Sequence, residues 1–111
     1  MKRKLIEHDR MVCIYLLNYS KKLISANRGL YICYALHYAA QELREFSGVL
    51  ADYRYLRDWI LKSLGDQNTY VDWIAVNHPA LLNQSPNKEL MFQLGRIAWI
   101  EWMIQELRQE A

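Results

Sequence analysis

Glycine and proline are scarce in this chain of 111 residues: four Gly and two Pro leave few positions for the tight turns that many β-hairpins require. The composition therefore points away from a β-rich fold. Cysteine is sparse as well. Cys13 and Cys33 belong to no C-x-x-C pair and to no metal-ligand cluster. They read as two buried free thiols, with one disulfide between helices as the alternative. No apolar run approaches the roughly 18 residues that a membrane span needs, which excludes an integral membrane placement. The opening residues 1–10 are polar, and the apolar stretch 11–17 is short and followed by Asn18, Ser20, Lys21 and Lys22. No signal peptide is read there, so the expected setting is cytoplasmic and reducing. Neither sign of charge dominates: fourteen Lys and Arg face twelve Asp and Glu, scattered along the chain. A global attraction to nucleic acid is thus absent.

What the chain does have is apolar content. Hydrophobic residues make up 52% and charged residues 23%, a balance that favours collapse over disorder. Its length suits one domain, 1–111, around one core. There are no repeats, low-complexity stretches or long linkers to divide it.

The spacing of apolar residues predicts an all-α fold, a compact bundle of about five helices. A first helix is expected over 9–25, opened by Asp9 as cap, with Val12, Leu16, Tyr19 and Leu23 on one stripe and Cys13, Leu17 and Ile24 beside it. Lys21 and Lys22 would sit in its last turn, and Asn27 to Gly29 would give a left-handed exit. A second helix over 30–46 aligns Ile32, Leu36, Ala39 or Ala40, and Leu43. Its Tyr31, Tyr34 and Tyr38 form a separate ridge, and its alanines suit a central helix approached closely by others. Leu50, Tyr53, Leu56, Ile60, Leu61 and Leu64 mark a third helix that ends at Gly65. Its outer face carries Arg54, Asp58 and Lys62 at i,i+4 spacing. Thr69 to Asp72 resembles a capping box for a short helix reaching Val76. Pro79 interrupts the chain, and a single turn at 80–82 is expected. Ser85 and Pro86 then open a last helix reaching Arg108, with Leu90, Leu94, Ile97, Ile100, Ile104 and Leu107 as its main stripe. Met91, Phe92, Ala98, Trp99, Trp102 and Met103 leave from its other sides, so this helix is either central or covered by a partner.

Reactive chemistry has no recognisable pattern. His8, His37 and His78 are scattered, no phosphate-cradling glycine loop or nucleophile motif occurs, and Glu42 with Glu45 reads as solubilising charge. The expectation is a non-enzyme with no cofactor and no metal. Aromatics with polar tips are the distinguishing feature: eight Tyr and four Trp stand against two Phe. Such rings bury large area yet tolerate a wet edge, which enriches them in protein interfaces. Tyr31, Tyr38, Tyr55, Trp59, Trp99 and Trp102 are the candidates to remain outside as a partner-binding set. Their alternative role is to fill the core.

Four segments carry a resemblance: Ile32-Cys33-Tyr34-Ala35-Leu36, Leu56-Arg57-Asp58-Trp59-Ile60, Tyr70 to Trp73, and Arg96-Ile97-Ala98-Trp99-Ile100-Glu101-Trp102-Met103-Ile104. Together they are similar to a group of uncharacterised small phage and prophage accessory proteins. The resemblance implies a protein that works in an infected or lysogenic bacterium by binding a host protein, including defence components such as CRISPR nucleases, restriction systems or recombination nucleases. The chain lacks the acidic excess of a DNA mimic, so inhibition would act by docking and steric blocking.

Two other readings stay open. A small nucleic-acid-binding module would use Lys2, Arg3, Lys4, Lys21, Lys22 and Arg28 on phosphates. A homo-dimer would cover the last helix with its own copy.

Overall fold

The computed structural model describes residues 6–47, 54–64, 76–80 and 88–109. Among them the chain is all helix and turn: α1 spans Glu7–Ala26, α2 Ile32–Ser47, α3 Arg54–Leu64 and α4 Lys88–Gln109. Helical backbone also occurs at 76–77 and 79–80. The capping box at Thr69, the Gly65 stop, the Ser85-Pro86 start, Leu50 and Tyr53 lie outside the described residues.

α1 begins two residues earlier than the sequence suggests. Ile6 is the extended residue before the helix, and its carbonyl accepts the Arg10 amide at 2.9 Å. Asp9 therefore stands inside the first turn with Glu7 rather than at the cap, where negative charge still suits the helix dipole. The exit also differs. Asn27 is extended (φ −146°, ψ 105°), not left-handed, and its amide closes a short bond to Ile24 O at 3.1 Å. Its side chain accepts from the Gly29 amide at 3.1 Å and its carbonyl from Leu30 at 3.2 Å. An Asx turn thus does what a left-handed glycine was expected to do. So short a connection makes α1 and α2 antiparallel neighbours.

The hub of the fold is α1, not α2: it packs on α2, α3 and α4, while α2 packs chiefly on α1 and to a lesser extent on α3. Cys13, Leu16, Leu17, Ser20 and Ile24 are fully enclosed along it. Ser20 satisfies its hydroxyl within the helix by donating to Leu16 O at 2.7 Å. From α2, Ile32, Ala35, Leu36, Ala39 and Ala40 enter the core; from α3, Leu56 and Ile60; from α4, Trp99, Ile100, Met103, Ile104 and Leu107. The short alanine side chains let the two backbones come close.

α4 departs most from its expected stripe. Its second half points Ile100, Ile104 and Leu107 inward as anticipated, but in its first half the buried side chains are Gln93 and Arg96. Leu94 is exposed and Leu90 and Ile97 are half-buried. The molecule measures 44 × 28 × 20 Å. No helix of the described residues is long and apolar enough to cross a membrane.

Candidate protein-binding face

The polar residues buried on α4 have a structural cause. The last carbonyls of a helix have no partner inside it, and Gln93 supplies one to α1, donating from Nε2 to Ile24 O at 2.8 Å and Ser25 O at 3.3 Å. One turn on, Arg96 donates from Nη1 to Arg28 O at 3.1 Å and Leu30 O at 3.4 Å. Its guanidinium carbon lies 4.6 Å from the Tyr31 ring centroid and 5.9 Å from that of Phe92. Only 6% of Arg96 is exposed. Backbone carbonyls and ring faces solvate the cation in place of water. This fixes the 27–31 turn and one face of Tyr31.

From Tyr31 a line of rings runs over the outside of α1 and α2. Tyr31 and Tyr34 are in tilted contact at 6.3 Å between centroids. Tyr38 follows Tyr34 one turn later on the same exposed side of α2. Tyr38 and Tyr19 share a cleft of about 370 Å³ with Leu23, Gln41 and Glu42. Tyr19 then stacks on Tyr15, with centroids 6.2 Å apart and ring planes at 27°. One turn before Tyr15, Met11 is exposed too. Five tyrosines are thus grouped on this side of α1 and α2, Tyr19 half-buried and the others exposed, Tyr34 57% and Tyr38 53%.

The aromatic residues anticipated from sequence divide around this surface. Tyr31 and Tyr38 belong to it. Tyr55 is exposed but stands elsewhere: its hydroxyl donates to Asp9 Oδ1 at 2.9 Å, at the far end of α1 from Tyr31, about 25 Å away by helix rise. Trp59 is half-buried against the core. Trp99 corrects the expectation, being 2% exposed and part of the core; it lies on the flank of the helix that turns towards its neighbours. Trp102 retains 37% exposure, tilted against Trp99 at 6.4 Å. The six do not make one patch. Tyr34 belongs to the ridge with Tyr31 and Tyr38 that the sequence shows but was not singled out as a site residue, while Tyr19 falls on the apolar stripe of α1 and Tyr15 joins the surface through its stacking on Tyr19. The Tyr15-x-x-x-Tyr19 spacing, one helical turn, was the available signal.

Of the cations proposed for nucleic acid, Lys21, Lys22 and Arg28 are among the described residues. Lys21 reaches Glu101 at 3.9 Å, so an acid intervenes, while Lys22 and Arg28 are exposed. Lys2, Arg3 and Lys4 lie outside the described residues. On α3, Asp58 is engaged by its neighbour Arg57 at 3.2 Å, and Arg57 also meets His37 Nδ1 at 2.9 Å.

The two cysteines are free and unlike each other. Cys13 is buried as expected, its thiol pushed up to about 12 by burial and then by the Asp9 carboxylate. Cys33 is exposed, a correction: it occupies the solvent side of α2, between the inward Ile32 and Ala35. Among the described residues no group of three or more His, Cys, Asp or Glu is placed to hold a metal ion. No family model matches this chain, and neither does any curated protein or solved structure.

Proposed function

We propose that this protein is a non-enzymatic, phage-derived accessory protein that docks on a host protein and blocks it sterically, using the tyrosine surface of α1 and α2. One observation carries the reading: Tyr15, Tyr38, Tyr34 and Tyr31 are exposed on one side of α1 and α2, linked through the half-buried Tyr19. Tyrosine gives contact area with little side-chain entropy to lose, and its hydroxyl tolerates both water and a partner. The resemblance of the Ile32 to Leu36, Leu56 to Ile60 and Arg96 to Ile104 segments to phage and prophage proteins supplies the setting. Against the nucleic-acid reading stands the pairing of Lys21 with Glu101.

The test is affinity capture from bacterial host lysate with the wild-type chain and with a Tyr34→Ala/Tyr38→Ala double variant. Both positions are more than half exposed, so the fold survives the change. Docking on this face predicts proteins retained by the wild type and lost from the double variant. Equal retention by both removes the face from consideration.

A further inference from the structure

We propose that the cleft between α1 and α2 is a receptor for a single arginine side chain presented by the partner. This rests on the docking face above and names the chemistry it selects. Among the described residues the cleft is lined by two tyrosines, one leucine, one glutamine and one glutamate. At about 370 Å³ it lies at the small end of the usual range for ligand sites, roughly 300 to 1,000 Å³. It suits a side chain better than a folded element. Tyr ring faces carry negative quadrupole charge and attract cations. Glu42, exposed beside Tyr38, supplies the counter-charge, and the Gln41 side-chain carbonyl a further acceptor.

A guanidinium matches these groups better than an ammonium does. It is planar, it stacks on rings, and it presents a fork of N–H donors to a carboxylate. The same surface already holds one such contact: the Arg96 guanidinium over Tyr31. The cleft sits on the continuation of that ridge, with Glu42 as the charged group among its described lining residues.

Nuclear magnetic resonance of the tyrosine rings, with N-acetyl-arginine-methylamide as probe, reads the cleft directly. N-acetyl-citrulline-methylamide, of the same shape but uncharged, is the control. The arginine probe should shift Tyr19 and Tyr38 with saturation, and citrulline should not. Glu42→Gln should weaken binding about threefold or more, consistent with the loss of one exposed charge pair, and Tyr38→Ala should abolish the shifts. Raising the salt should weaken binding in the same direction. Equal shifts from citrulline, or a Glu42→Gln protein that binds as before, would overturn the proposal. Failure here is separable from failure of the docking face. Lysate capture that depends on Tyr34 and Tyr38 while the arginine probe moves neither ring leaves the face standing and removes its arginine selectivity.

Discussion

Gln93 on α4 donates its side-chain amide to the carbonyl of Ile24 at the end of α1, and at the opposite end of the same helix pair Arg10 on α1 donates from Nη1 to Leu107 O at 3.3 Å. Each helix closes the other's last turn. The arrangement fixes the antiparallel register as well as satisfying the carbonyls, because a slide of one turn, about 5.4 Å, would break both caps together.

The first prediction follows from Gln93. Gln93→Leu keeps the volume and removes the donor, leaving Ser25 O without this partner and Ile24 O with the Asn27 amide alone. It should cost about 1–2 kcal/mol, read as a lower urea midpoint at unchanged slope. Gln93→Glu should cost more at neutral pH, since a carboxylate only accepts and would face the negative end of α1. That excess should shrink on acidification as the new carboxyl protonates. An unchanged midpoint for both variants would remove the cap from the account of stability.

Arg96 supports a second prediction. Arg96→Met should destabilise by about 1–3 kcal/mol, because two turn carbonyls lose a charged donor. Arg96→Lys should restore only part, having neither the fork nor the planar face. A double-mutant cycle with Tyr31→Ala should give a coupling of about 0.5–1 kcal/mol from the cation over the ring. Strict additivity would show that the 4.6 Å contact contributes nothing.

These two residues also show where sequence reading stops. Periodicity located α1, α2, α3 and α4 because most of their inward positions, Leu16, Ile32, Leu36, Ile60, Ile100 and Leu107 among them, are apolar and recur at helical spacing. That logic assigns inward places to apolar residues only. At the start of α4 it therefore chose Leu94, which is exposed, when the space beneath is lined by end carbonyls of α1 and its turn and needs donors. The choice of hub failed for a related reason: Ala35, Ala39 and Ala40 report that something comes close to α2, but not that the helix coming close is the one shared by all the others. The tyrosine surface was legible by residue type and not by position. Trp99 could be placed inside only once the neighbours of α4 were known.

The alanines give a third prediction. Ala39 is fully enclosed on the α2 face that packs against the core, so Ala39→Leu should force the helices apart and cost about 1–3 kcal/mol. Gln41→Leu, at an exposed position of the same helix, should stay within about 0.5 kcal/mol of the wild type. Thermal melts of the two variants separate the cases. A tolerated Ala39→Leu would mean that the α1–α2 approach is not set by side-chain size.

The last prediction concerns the thiols. Alkylation of the native protein at mildly alkaline pH should modify Cys33 rapidly and leave Cys13 unmodified until the chain is unfolded, because only the first is exposed and the second holds its proton. The raised Cys13 value also fixes the sign of a pH effect. Its ordinary value is 9.0 and its folded value about 12. Below 9 both folded and unfolded chains keep the proton, so the contribution to stability is fully present. Between 9 and 12 the unfolded chain releases a proton that the folded chain retains, so stability falls as pH rises, by up to about 1.4 kcal/mol per pH unit from this group. Cys13→Ala should be less stable at neutral pH, through the space it leaves beside Leu16 and Leu17, yet show a shallower alkaline decline. Parallel declines for wild type and variant between pH 9 and 11 would show that other groups govern alkaline unfolding.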